Sequence, residues 1–279
     1  MKKYEMLEEK TMFRGIVLHR IRALRDFGHI KEGELGGFIQ KEENLSHEGN
    51  SWVSDEATVF EDAVVYGNAC VCGSASVFGN SRILCSAYVS GSATVYGNAR
   101  VCGHSRVMGN ASVNGDSEIS CISLVEGDSY VSGRTKILGD TYVGGISYID
   151  GAIIHGKARL KGNIFLSGVV EVGGNASLEG TVRLTGDVLV KGHAHLAGYV
   201  RIGSGAVIEE TGDYLSIGPI GSRKDFTTFY RTPKGINVIC GCFRGSLSDF
   251  ERQVEIYHGE GQHFKTYMSA IKMAEIQLG

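Results

Sequence analysis

Valines recur every six residues through the middle of this chain. Between Ser92 and Gly115 they fall at Val95, Val101, Val107 and Val113. Each has a small residue two before it (Ala93, Ala99, Ser105, Ala111) and a glycine two after it (Gly97, Gly103, Gly109, Gly115). Side chains alternate faces along a strand, so the small residue and the valine point the same way. The glycine, often followed by Asn or Asp as in Gly79-Asn80 and Gly139-Asp140, tolerates the positive φ of a sharp corner.

Taking the small residue as position one, units begin at Ser51 and recur every six residues to Ser147. One residue is then lost, the phase resets at Ala152, and ten more units run to Thr211. All 27 units have an aliphatic third position and 21 have glycine at the fifth. The exceptions there are Asp55, Glu61, Cys85, Cys121, Ser204 and Glu210. Three short strands and three corners close a coil of 18 residues, with each valine stacked on the valine one coil away, so 27 units make nine coils. The expected fold is mainly β: a single-stranded parallel β-helix over 51–211.

A solenoid leaves an open strand edge at each end and needs caps. Residues 1–50 supply the first, where GIVLHRIRAL alternates as a strand. Residues 212–279 break the period. DYLSIGPIG, FTTFYR and INVICGCF read as three strands, with a turn at Thr232–Gly235. SLSDFERQVEIYH reads as an amphipathic helix with Ser248 and Glu251 spaced as a capping box, and HFKTYMSAIKMAEIQL as a second helix beyond Gly259 and Gly261. A small α+β domain is expected there, either a cap or a partner-binding module.

The six-residue period resembles the hexapeptide-repeat, left-handed parallel β-helix superfamily. That superfamily usually places glycine or an acidic residue directly after the aliphatic one, whereas here glycine comes one later, as in Val95-Tyr96-Gly97. A right-handed β-helix of the bactofilin type is the alternative, above all for VEVGGNASLEGTVRLTGDVLVKG, where valine also takes position one. The unbroken period favours the left-handed form. Over residues 3–70 the lead-in, with Gly36-Gly37, Asn44-Leu45-Ser46, Gly49 and Trp52, is similar to the YdcK-like hexapeptide-repeat proteins. That resemblance implies a cytosolic bacterial or prophage setting and no established reaction.

Composition narrows the setting. Glycine is high, at 40 of 279 residues, and proline low, at two, without the period of collagen. A net charge of −3 argues against bulk capture of nucleic acid. No apolar run reaches membrane-spanning length and no signal peptide is visible, so a cytoplasmic protein with reduced thiols is expected.

The superfamily's acyltransferases carry an expelled loop and a basic histidine. No such loop interrupts 51–211, and His104, His155, His193 and His195 fall at outward or corner positions. His193 and His195 lack the spacing of a three-histidine zinc site. His258 and His263 read as a polar loop, and Cys240 and Cys242 as two buried thiols on one strand face. No metal or cofactor is expected. In IGPIGSR the glycines Gly218 and Gly221, with Ser222 and Arg223, are the candidate ligand-binding residues, because converging amides and a guanidinium suit an anion. The same stretch also reads as a tight turn.

Position four of every third unit stacks Phe60, Phe78 and Tyr96 on one outer face. An apolar strip marks either an interface or a surface that the N-terminal segment covers. Another face stacks Arg82 on Arg100, beside Glu118; the two arginines are a candidate contact for an acidic partner or part of a solvated ladder. The function expected is a non-enzymatic scaffold that binds a protein partner or itself, as a homotrimer or homodimer. A trimeric CoA-dependent acyltransferase is the alternative, and a small-ligand or nucleotide binder the third reading.

Overall fold

The computed structural model describes residues 2–279, which form two compact units, one ending at Asp150 and the other running from Gly151 to Gly279. The fold is mainly β, with parallel β-helical coils and two helices near the C-terminus.

The first unit opens with three strands, β1 (Tyr4–Phe13), β2 (Ile16–Ala23) and β3 (Leu35–Ile39). β1 and β3 both pair antiparallel to β2. β3 then runs parallel to the first coils, with Phe38 opposite Thr58 and Ile39 opposite Val59. Two-residue strands follow, each in register with the strand 18 residues on: Val53 with Val71, Val71 with Val89, Val89 with Val107. The third-position residues of this unit, from Val53 to Ile149, are fully buried. They form the inner stack that the period requires.

The corners carry the left-handed backbone. Gly79 has φ 70°, and a Cβ there would lie 2.8 Å from the amide of Gly97, one coil on. Asp55, Glu61, Cys85 and Cys121 adopt the same conformation at φ 56–65°, which disfavours any residue with a Cβ. Two of them offset that strain. Asp55 Oδ2 accepts from Gly73 N and Glu61 Oε2 from Gly79 N, both at 2.8 Å.

Hydroxyls at position one satisfy corner carbonyls. Ser81 Oγ donates to Phe78 O at 2.8 Å and Ser105 Oγ to Cys102 O at 2.7 Å. A buried serine is therefore tolerated where alanine is the alternative.

In the second unit the coil changes. Two of the three expected strands merge into one, as in Arg159–Ser167, Ser177–Thr185 and His195–Ile202. Their ladder runs through the corner, with Gly162 opposite Gly180 and Gly180 opposite Gly198. Gly162 and Gly180 sit at φ 119° and 90°, nearer to extended than Gly97 at 69°. Position one is now often branched: Ile164, Val170, Val182, Val188 and Val200 are all buried. The branched side chains at position one go with the gentler bend.

Residues from Tyr214 onward form a four-stranded antiparallel sheet of Tyr214–Ile220, Asp225–Thr232, Gly235–Cys240 and Phe243–Ser246. The fourth strand was not expected. It arises because the chain turns at Gly241-Cys242, so Cys242 lies exposed in a hairpin and not on a strand face beside Cys240. Helices α1 (Leu247–His258) and α2 (Gln262–Leu278) cover the sheet, burying Phe229, Val238, Phe250, Val254, Tyr267 and Ile271 together. The cap of α1 is Ser246, whose Oγ accepts from Asp249 N at 3.2 Å. The box expected at Ser248 and Glu251 is two residues inside the helix, because the strand ends directly at the cap. Among the described residues no helix is long and apolar enough to cross a membrane.

Candidate functional site

The hairpin ends of the C-terminal sheet and one face of α1 enclose a cavity of about 430 Å³, within the usual range for small-molecule sites. Ser222 and Arg223 line it, as does Asp225 from the start of the next strand. Gly218 and Gly221 serve the fold. A Cβ on Gly218 would lie 2.7 Å from Phe226 Cα across the sheet, and one on Gly221 would collide with the Tyr267 hydroxyl. The cavity's remaining polar groups come from distant elements: Cys240 and Cys242, Gln253 and His258 of α1, and Tyr267 of α2.

Its electrostatics are uneven. Burial, and then the neighbouring Cys240 thiol, push the Tyr267 hydroxyl up to about 12, so it stays a neutral donor. The Cys240 thiol is 3.8 Å from that hydroxyl and 3.1 Å from Thr227 Oγ1. Among the described residues, Arg223 Nη1 reaches only a thiol, Cys242 Sγ at 3.7 Å. Asp225 is occupied: Oδ1 accepts from Phe226 N at 2.8 Å, and Oδ2 is 3.8 Å from Arg201.

The aromatic ladder of the first unit is present and covered. Phe78 stacks on Tyr96 at 5.0 Å between centroids. Phe60 packs against Phe13 at 5.5 Å, and the Arg14 guanidinium lies 4.6 Å from the centre of Phe78. Leu18 and Phe38 complete the cluster. The N-terminal hairpin thus folds over Phe60 and Phe78, which are buried, and Tyr96 at the end is half-buried. Arg82 and Arg100 stay exposed, in register with each other and, beyond them, with Glu118 and Lys136.

A thiol pair on another outer face was not foreseen. Cys72 Sγ lies 2.9 Å from Tyr88 Oη. Hydrogen bonding from Cys70 first, and from Tyr88 after it, lowers the Cys72 thiol to about 7, while Cys70 is pushed up. The signal in the sequence is two cysteines at positions two and four of one unit, with a tyrosine 18 residues beyond the first.

No known family profile matches the chain. A 74-residue stretch is 35% identical to the "Uncharacterized acetyltransferase YdcK" of Escherichia coli (strain K12), covering 23% of this chain and 23% of that protein. The chain is a parallel β-helix of six-residue repeats, and this stretch of it is similar to YdcK. The match spans under a quarter of that relative's length, and the acetyltransferase label is the relative's own.

In this β-helix protein the lead-in motif has structural roles. Asn44 Nδ2 donates to Glu61 O at 3.0 Å and Ala63 O at 2.8 Å, and its Oδ1 accepts from Lys41 N at 2.9 Å. A Cβ on Gly36 would lie 2.5 Å from Ile21 Cγ1, and one on Gly37 2.5 Å from Ala57 O. Trp52 and Leu45 are fully enclosed. The motif docks a cap onto the first coils. Of the outward histidines, His155 bonds Glu171 at 2.9 Å, and His104 lines a shallow depression with Tyr88 and Arg106. The rings of His258 and His263 are 6.0 Å apart and edge-on. Among the described residues no cluster of three metal-ligating side chains forms.

Proposed function

We propose that this β-helix protein is a rigid, non-enzymatic scaffold that presents surfaces to a macromolecular partner, with the C-terminal α+β domain as the engaging module. One observation carries this reading: corner follows strand without an expelled loop from Trp52 to Ile208. Exposed Arg82 and Arg100 give a partner or a second copy of the chain a basic ladder to meet. The setting is a reducing cytoplasm, bacterial or prophage-borne, where Cys70 and Cys72 stay free thiols. Native mass spectrometry of protein purified from its own host tests it. A retained macromolecule or a defined homo-oligomer is expected; a bare monomer that turns over acetyl-CoA overturns it.

A second reading is CoA-dependent acyl transfer, favoured by the likeness to YdcK. It places a thioester at an outer face such as the depression beside His104 and Arg106. A ligand that binds only the folded state raises the melting temperature. Stabilisation by millimolar acetyl-CoA, lost in His104→Ala, supports acyl transfer; an unchanged melting curve removes it.

A further inference from the structure

The cavity of the C-terminal domain has a chemistry that neither a scaffold nor an acyltransferase explains. Phe243, Phe250 and Val254 give it an apolar floor, as part of or packed against the domain core. Its polar lining includes the exposed Arg223 and the half-buried Gln253. Arg223 pairs with no carboxylate among the described residues. The one carboxylate in the wall, Asp225, has an oxygen on a backbone amide and Arg201 facing the other. The cavity therefore keeps an uncompensated positive charge beside an apolar surface. The C-terminus of α1, at Tyr257 and His258, also lines the cavity. A helix C-terminus repels anions, so the charged group that favours an anion in this lining is Arg223.

We propose that this cavity binds a small amphipathic anion, an aromatic or aliphatic carboxylate or sulfonate. Its apolar body lies on Phe250 and Val254, and its charged head meets Arg223. A guanidinium presents paired donors that match a carboxylate or sulfonate, and such charge-assisted bonds are the stronger kind. The site is independent of whether the coils act as scaffold or catalyst, because every residue it uses lies between Ser222 and Tyr267.

Anilinonaphthalene sulfonate is a suitable probe for the full-length protein, since its fluorescence rises in apolar sites. Its neutral analogue phenylnaphthylamine is the control. Saturable binding of one sulfonate per chain is expected. Arg223→Gln weakens it by about tenfold and leaves phenylnaphthylamine binding unchanged. Gln253→Trp fills the mouth and blocks both probes. Both variants are required to keep the wild-type near-ultraviolet circular dichroism, because loosened states also bind such dyes. Non-saturable binding, sulfonate binding unaffected by either substitution, or equal loss of both probes in Arg223→Gln overturns the proposal. Turnover of acetyl-CoA bears only on the function of the coils and leaves this test untouched.

Discussion

The ring of Phe60 lies flat on that of Phe78, with centroids 4.9 Å apart and planes 8° from parallel. Phe13 packs against Phe60 as well, tilted by 60°. Truncating Phe60 opens a hole between two rings. Phe60→Ala is expected to cost about 3–5 kcal/mol in denaturant unfolding. Tyr96→Ala, half-buried and stacked on one ring only, is expected to cost well under half of that. Equal losses contradict a covered ladder.

Corners separate strain from compensation. Cys85 holds a left-handed backbone at φ 59° and, among the described residues, its side chain caps no neighbouring amide, whereas Asp55 at φ 57° caps Gly73 N. Cys85→Gly is expected to stabilise the fold by up to about 1 kcal/mol. Asp55→Gly relieves the same strain but loses a bond, so its effect is neutral or destabilising. Paired thermal melts of the two variants check the ranking.

Lys3 gives a pH dependence. Its ammonium is fully enclosed and donates to Ser51 O at 2.7 Å. Burial first, and Arg25 second, lower it from 10.5 to about 8. Between those values the unfolded chain holds more protons than the folded one, so this group makes stability rise with pH across that window. The stability of the wild type minus that of Lys3→Met is expected to grow from about pH 8 to about pH 10. A flat difference shows that Lys3 stays charged.

The thiolate is the reactive form of cysteine. Cys72, lowered to about 7, is expected to react with a small thiosulfonate at neutral pH while Cys70 stays unmodified. Peptide mapping after brief labelling reads the ratio. Tyr88→Phe removes one hydrogen bond to Cys72 and shifts its reactivity toward higher pH. Preferential labelling of Cys70 refutes this assignment.

The coils were legible because one rule repeats: a valine every six residues permits a single inward stack. β1 was not, because its register shifts between Met6 and Lys10 and the alternation that marks a strand is lost there. The fourth C-terminal strand was hidden because Gly241-Cys242 sits inside a run of strand-forming residues. In the cavity, Ser222 and Arg223 stood out through their glycine-rich turn. Gln253, His258 and Tyr267 did not, since helical positions facing a cavity follow the same period as positions facing a core. The merged strands of the second unit had a trace in the sequence, the branched residues at position one.

The strict register of Val77 with Val95 and Val95 with Val113 makes the first unit a ruler graduated in whole turns. Excising residues 93–110 joins Ser92 to Ala111 in phase and sets Val77 directly against Val113. Duplicating the same segment lengthens the stack by one step. Each step moves whatever the two ends carry by about 4.8 Å, and every inward aliphatic at position three still meets a partner of its own shape. Length can therefore be selected separately from stability.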